Sequence, residues 1–315
     1  MEHILVSELH QYEGKEISGF YLASEKDLRE GKGGPYLRLR LLDLSGQVAG
    51  NVWKDAANMA SQFNAGDVIH LKANVVSFKG QIQLSVTELR FADKSEFDIA
   101  LFMARSRFAP ELLAERFWGF VDKVDNEYLN RLLHLIFDNK DFFKTYLEAP
   151  AAKGWHHNYM HGLIEHSVAV ASLCEFCSLL YPISFDLTVA GALLHDVAKV
   201  WEYSGQGAYE FTDRGRLIGH LSMSDELVLT KAKEIPGFPE DLLLNLRHLI
   251  LSHHGEYEKA SVRLPQTLEA IVLHHCDNLD AQSAGVSQLV TAAPPEAVWS
   301  EFDKLNNRYY RLVRL

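Results

Sequence analysis

The sequence predicts a multi-domain β-plus-α protein: an N-terminal β-barrel of OB-fold type, a helical connector and an all-α C-terminal domain. Three observations carry that expectation. Apolar and polar residues alternate in short runs over the first 92 residues. From about Ser95 the apolar spacing becomes helical. Charge and histidine are also distributed unevenly. Residues 1–92 carry 10 Lys or Arg against 11 Asp or Glu, whereas residues 93–315 carry 21 against 31, so nearly all of the net charge of −11 lies in the second part. Of the 15 histidines, 11 lie between His156 and His275. The expected boundaries are 1–92 for the barrel, 93–150 for the connector and 151–315 for the helical domain.

Ile17 to Ser24 is the first strand. Tyr36-Leu37-Arg38-Leu39-Arg40-Leu41 alternates strictly, as a half-buried strand does, and Ser45-Gly46 turns it into a third strand from Gln47 to Lys54. Asp67 to Phe78 and Gln81 to Leu89 pair across Lys79-Gly80, a hairpin signal. Asp55 to Phe63 reads as a short helix between the third and fourth strands. Five strands with a helix in that position fit an OB-fold. Helices then follow at Phe97–Met103, Pro110–Val124, Glu127–Phe137, Leu163–Leu180, Asp186–Lys199, Ser224–Glu234, Glu240–His254 and Gln266–Ala281. Pro110 suits a helix start, and Pro182, Pro236 and Pro265 punctuate the rest.

Several classes are excluded. A chain of 315 residues that is 47% hydrophobic and 23% charged is not wholly disordered, and it is long enough for roughly two domains. No stretch approaches the ~20 apolar residues of a membrane span. Met1-Glu2-His3-Ile4 lacks the basic segment and apolar run of a signal peptide. The expectation is a soluble, cytoplasmic protein with no membrane partner. Cys174, Cys177 and Cys276 are too few for a disulfide framework and read as thiols. The acidity excludes indiscriminate binding of duplex DNA but leaves a channelled single strand open.

The helical part carries groups suited to divalent metal: His166, His195-Asp196, His220, His253-His254 and Asp277. Leu246 and Leu249 precede His253 by seven and four residues, and Ala270 and Leu273 precede Asp277 by the same steps, so both groups fall on inward-facing stripes. Lys199 stands one turn beyond Asp196, where its ammonium could hold a phosphate oxygen.

This order of groups resembles the HD superfamily of metal-dependent phosphohydrolases. The blocks Gly162-Leu163-Ile164-Glu165-His166-Ser167, Leu193-Leu194-His195-Asp196-Val197-Ala198-Lys199, Leu217-Ile218-Gly219-His220, Leu251-Ser252-His253-His254-Gly255 and Asp277-Asn278-Leu279-Asp280-Ala281 are similar to those of the YhaM-type 3′–5′ exoribonucleases. That family joins an N-terminal OB-fold to a C-terminal HD domain at about this length. The resemblance implies one metal on His166, His195, Asp196 and Asp277, with Asp196 bridging to a second on His220 and His253. His254 would be a ligand or would support one. It further implies two divalent ions, Mn²⁺ first, with Fe²⁺, Mg²⁺, Zn²⁺ and Co²⁺ as alternatives. Asp196, Lys199 and His220 would act in catalysis. A metal-activated water would attack phosphorus in line and release nucleoside 5′-monophosphates from single-stranded RNA or DNA.

In the barrel, Tyr36, Arg38 and Arg40 with the pairs Trp53-Lys54 and Phe78-Lys79 combine aromatic and basic groups, as surfaces that bind single strands do. The plainer alternative is that the rings are core and the cations ordinary surface. His156-His157, Glu165 and His274-His275 are candidates to support ligands or touch substrate, whereas His248 reads as structural. Cys174 and Cys177 fall on one helical face with Leu173, Phe176 and Leu180. Arg308-Tyr309-Tyr310-Arg311 either contacts nucleic acid or docks the last segment. Pro110 to Phe137 could support a homo-oligomer. Two rival functions remain at this level: an HD phosphohydrolase acting on nucleotides, and a single-strand-binding replication-accessory protein whose metal site is structural.

Overall fold

In a computed structural model describing residues 3–31, 34–204, 209–304 and 306–313, the alternating Leu37, Leu39 and Leu41 turn inward and are almost wholly buried, leaving Arg38 and Arg40 on the outside. Met1 and Glu2 lie outside the described residues. Strands β1 (Glu16–Gly31), β2 (Gly34–Asp43), β3 (Gly46–Val52), β4 (Val68–Phe78) and β5 (Gln81–Phe91) form a closed barrel in the order β1-β2-β3-β5-β4. All pairs are antiparallel except β3–β5. Helix α1 (Ala56–Ser61) sits between β3 and β4, completing the expected OB-fold. Gly50 is needed inside: a Cβ there would lie 2.9 Å from Leu41 Cδ1.

β1 runs seven residues beyond the expected Ser24. Its charged second half has little alternation, and the ladder to β2 holds it instead, with Lys26 opposite Leu39 and Arg29 opposite Tyr36. The expected helix Phe97–Met103 is reduced to a single 3-10 turn, Ile99–Leu101. Tertiary packing overrides the helical pattern here, because Phe97, Ile99, Leu101 and Phe102 all turn onto Leu22, Val68 and Ala92.

Two compact units emerge, Met1–Ala104 with Tyr203–Thr212, and Arg105–Glu202 with Asp213–Leu315. The first therefore includes the two-stranded sheet of β6 (Tyr203–Ser204) and β7 (Glu210–Phe211). Residues 93–150, expected as a connector, are divided between the units. The helices α2 (Pro110–Asp122), α3 (Glu127–Phe137) and α4 (Lys140–Glu148) bury Leu113, Phe117, Leu133 and Tyr146 in the core of the second unit. Asn126 and Asn139 cap α3 and α4 through their side-chain oxygens.

The centre of that core is α5 (Gly162–Ser178) and α6 (Phe185–Leu194). Every residue from Leu187 to Leu194 is buried, so α6 is apolar all round, as a helix enclosed by others must be. The expected helix Asp186–Lys199 breaks after Leu194, and α7 (Lys199–Glu202) resumes beyond a tight turn. In a continuous helix neighbouring side chains point about 100° apart. The turn lets the adjacent His195 and Asp196 face one centre. Helices α8 (Asp213–Leu217), α9 (His220–Ala232), α10 (Glu240–Ser252) and α11 (Leu268–Ala292) follow. His220, outside the helices expected from the sequence, begins α9, and α11 continues eleven residues past the expected Ala281. Among the described residues, no helix is long and apolar enough to cross a membrane.

Two buried glycines differ in what walls them. A Cβ at Gly162 would strike the backbone carbonyl of His157, which cannot yield, whereas one at Gly191 would meet Leu249 Cδ2 at 2.6 Å, the free end of a side chain. Gly162→Ala is therefore expected to destabilise by about 2–3 kcal/mol and Gly191→Ala by about 1 kcal/mol or less. Paired thermal or urea unfolding curves check this, and equal shifts would contradict it.

Candidate functional site

Five imidazoles converge in the second unit, and each is held from behind by its Nδ1. His166 Nδ1 donates to Asp280 Oδ2 at 2.7 Å and His220 Nδ1 to Glu202 Oε1 at 2.9 Å. His195, His253 and His254 donate to the carbonyls of Ala192, Ile250 and Lys259 at 2.8, 2.7 and 2.7 Å. Carbonyls and carboxylates can only accept, so each Nδ1 carries a proton and Nε2 is the ring atom left to face a cation. Those Nε2 atoms meet. His166 Nε2 is 3.1 Å from His195 Nε2, and His220 Nε2 is 3.2 Å from His254 Nε2.

Asp196 stands between the two groups. Its Oδ2 lies 3.3 Å from His195 Nε2 and 3.6 Å from His166 Nε2; its Oδ1 lies 3.3 Å from His220 Nε2 and 3.6 Å from His253 Nε2. Asp277 Oδ1 completes the first group at 3.2 Å from His166 Nε2. Lys199 Nζ reaches Asp196 Oδ2 at 2.6 Å. Burial alone would raise the Asp196 carboxyl pKa, but the Lys199 ammonium and the neighbouring His195 and His253 hold it well below the usual carboxylate range. Burial, with His253 and His220 beside it, pushes His254 down to about 3, so that ring is neutral at physiological pH and can act as a ligand.

These residues fit divalent cations. Asp196 Oδ1 is buried without a hydrogen-bond partner, an expensive state for a carboxylate unless a cation meets it. Ligand atoms of His166, His195 and Asp277, of His195, Asp196 and His253, and of His220, His253 and His254 each lie within 4.8 Å of one another. The nitrogen–oxygen donor set suits borderline ions.

Every expected metal-binding or catalytic residue of the helical unit is thus gathered here, and behind them stand supports of which His157 and Glu165 are expected from the sequence and Glu202, Asp280 and Tyr159 are not. Glu202 accepts from both the Nδ1 and the backbone N–H of His220. Asp280 Oδ2 accepts from His166 Nδ1 and, at 2.9 Å, from His157 Nε2. His157 Nδ1 meets the Tyr159 hydroxyl at 2.7 Å, and that hydroxyl donates to Glu165 at 3.0 Å. The spacing Asp277 to Asp280, one helical turn, was the available signal for Asp280. For Glu202, three residues beyond Lys199, none distinguishes a support from a surface acid.

The remaining histidines divide. The ring of His156 lies 5.3 Å from that of His166, and its buried Nδ1 has no partner. Burial, with the charges of His166 and Lys199, lowers its pKa to about 3. His161 donates to Leu147 O at 2.8 Å and His274 to His253 O at 2.7 Å. His248 accepts from the Gln266 N–H and is structural. Cys177 and Cys276 are free thiols with sulfurs 3.8 Å apart.

On the barrel, the Tyr36 and Trp53 rings stack with centroids 5.0 Å apart and planes 22° apart, Trp53 being 58% exposed. A groove of about 620 Å³ crosses the outer face of β1, β2, β3 and β5, where Arg29, Arg38 and Arg40 alternate with Glu25 and Asp27. Phe78 is exposed with Lys79 Nζ 5.5 Å over its ring. It does not join Tyr36 and Trp53. Ala49 lies opposite Gln83, which carries the Phe78–Lys79 turn toward the Gly46 end of β3, about 20 Å from Trp53 at 3.3 Å per residue. Lys54 is exposed beside Trp53.

The HD domain family matches residues 163–282, and an OB-fold nucleic acid binding domain matches residues 23–92. The chain thus joins an OB-fold to an HD domain, the latter indicating a metal-dependent phosphohydrolase. Among solved structures it is similar to the p204 HINb domain at 21% identity, over 29% of this chain and 47% of that one, with a TM-score of 0.26. It is also similar to a replication protein A heterotrimer bound to ssDNA (14%, 25% and 58%, 0.22) and to the second OB-fold domain of replication protein A from Methanococcus maripaludis (19%, 30% and 97%, 0.25). The chain spans about half the length of the first two. At these TM-scores the likenesses carry no argument about the site.

Asp280 and Glu202 hold rings on opposite sides of Asp196. Asp280→Asn and Glu202→Gln are each expected to weaken Mn²⁺ binding by about 10- to 100-fold. Calorimetric titration of the chelator-stripped protein measures this, and unchanged affinity would remove their supporting role.

Proposed function

We propose that the protein is a metal-dependent 3′–5′ exonuclease that shortens single-stranded RNA, and single-stranded DNA as a second substrate, releasing nucleoside 5′-monophosphates. The observation that carries this reading is Asp196, whose two oxygens face separate imidazole groups while Lys199 stands against one of them. A purely structural site needs neither a shared carboxylate nor an ammonium beside it. The polynucleotide substrate is supported by the OB-fold match and the exposed Trp53 stacked on a half-buried Tyr36. The 3′–5′ direction and the preference for RNA rest on the likeness of the five motif blocks to the YhaM-type enzymes.

His166, His195, Asp196 and Asp277 would hold one cation, and Asp196, His220, His253 and His254 a second. Bound there, the ions supply Lewis acidity that lowers the pKa of a water and offsets charge at phosphorus. The chain's own groups do the rest. Asp280 and Glu202 keep His166 and His220 in the tautomer that presents Nε2. Lys199 uses one of its three donors on Asp196, leaving the others to orient a phosphoryl oxygen and stabilise its growing charge. Burial of His166, His195, Asp196 and His253 keeps bulk water from screening these interactions.

With Mn²⁺ and a 5′-labelled single-stranded RNA, the expected result is a ladder that shortens from the 3′ end and stops on addition of chelator. Asp196→Asn is expected to lower the rate at least about 10³-fold in protein that retains its circular dichroism spectrum. Cleavage of mononucleotides alone, or binding without cleavage, would overturn the proposal.

A further inference from the structure

Beyond α11 the chain forms a two-stranded ribbon that the metal centre does not use. Trp299 pairs with Arg311 and Asp303 with Arg308. Ser300 N–H donates to Tyr310 O and Leu312 N–H to Val298 O, both at 2.9 Å. The ribbon's two faces differ. Leu312 is buried and Tyr310 half-buried, so these turn inward and dock the ribbon. Trp299, Tyr309 and Arg311 turn outward, with Trp299 58% and Tyr309 60% exposed. The Phe302 ring lies 5.1 Å from that of Tyr309, extending the aromatic surface.

We infer that this outward face is a second seat for a single-stranded nucleic acid, on which bases stack against Trp299 and Tyr309 while Arg311 and Arg308 meet the phosphates. The inference rests on the exonuclease reading and adds a substrate-guiding element to it. Docking does not require exposed rings, since Tyr310 and Leu312 supply that contact. The cross-strand pairing of an indole with a guanidinium presents a π face and a cation side by side, the combination that holds single strands without reading sequence. Charge selects the same partner. Residues 298–315 carry four Lys or Arg against two Asp or Glu, whereas residues 93–297 carry 17 against 29. Glu301 shares the outward face but is outnumbered by Lys304, Arg308 and Arg311. A basic, aromatic island in an acidic half fits a polyanion with flat bases better than an apolar protein surface.

The ribbon is tied near the site. Asn306 Oδ1 accepts from Gln282 Nε2 at 3.0 Å. Gln282 follows Asp277 by five residues on α11, about 7.5 Å along the helix axis. The turn of the ribbon is therefore fastened to the same helix that carries Asp277, the carboxylate proposed to hold metal.

The test uses the full chain in EDTA, so that binding is read without cleavage. Fluorescence anisotropy of a labelled 12-nucleotide oligouridylate is compared for wild type, Trp299→Ala, Tyr309→Ala, Arg311→Ala and the ring-preserving Trp299→Phe. Each aromatic-to-Ala change is expected to weaken binding about tenfold with an unshifted melting temperature, and Trp299→Phe to keep most of the affinity. Arg311→Ala should flatten the salt dependence of binding. If wild type binds and Trp299→Ala and Tyr309→Ala bind equally well, the ribbon is not a seat and the inference falls while the exonuclease reading stands. Loss of affinity in Trp299→Phe as well, with a lowered melting temperature, assigns the ring a structural role and also overturns it. A fall in oligomeric mass on removing the rings, seen by light scattering, would make the face an interface between copies instead. If wild type neither binds nor shortens the RNA, the exonuclease reading itself fails.

Discussion

The helical unit is organised around one constraint: five imidazoles fixed through Nδ1 so that their Nε2 atoms turn inward, four of them within 3.6 Å of a single buried carboxylate, Asp196. Leaving a buried acceptor without a donor costs about 1–3 kcal/mol, and Asp196 Oδ1 is such an acceptor, held among these rings. The outer hydrogen bonds keep the rings from rotating to escape one another. Three of those bonds go to carbonyls three to five residues away in the chain, so the local backbone itself sets the tautomer. The other two go to Glu202 and Asp280, which only the fold brings into place.

Much of the surrounding structure follows from that demand. The helix carrying His195 must end so that Asp196, its neighbour, can face the same point. Gly255, with φ of +76°, ends the α10 turn, and a Cβ there would strike the His274 ring that donates to the His253 carbonyl. Gly162 lets α5 start against the His157 carbonyl, which brings His157 within reach of Asp280. Gly285 does the same for the Trp155 ring against α11. The Lys199–Asp196 pair is buried at 2.6 Å, where removing either partner strands a charge at a cost of about 3–5 kcal/mol. Stability and the chemistry proposed for the site thus depend on the same atoms. The expected self-association of Pro110–Phe137 meets a competing use, since Leu113, Phe117, Leu132 and Leu133 are spent inside the chain's own core.

The barrel obeys a simpler rule. Alternation along β2 sends Leu37, Leu39 and Leu41 inward and leaves Arg38 and Arg40 to line a groove, where Arg40 also pairs with Glu25 at 3.2 Å. The strand that fills the barrel is therefore also the one that exposes its cations. Mixed acid and base in that groove temper its attraction for phosphate, leaving the Tyr36–Trp53 stack as the more specific feature.

Local patterns were enough for much of this protein. The period of two placed five strands and the helix after the third, because one face of each strand must be apolar to fill a barrel. The ligand groups were legible because His and Asp are costly to bury singly, so their recurrence on apolar stripes, as at His253 and Asp277, marks a place where they are buried together. What the sequence could not decide was anything set by distance across the fold. Glu202 and Asp280 look like ordinary helix acids until α9 and α5 bring His220 and His166 against them. Phe78 and Trp53 look like equal members of one platform until strand register separates them. The helical pattern of Phe97–Met103 yields to packing on the barrel, and the long α11 outruns its apolar stripe because Gly285 and Gln282 find partners elsewhere. Periodicity is a property of neighbours in the chain and can be read there, whereas tautomer, register and the company of a buried charge are fixed by residues up to a hundred and more positions away.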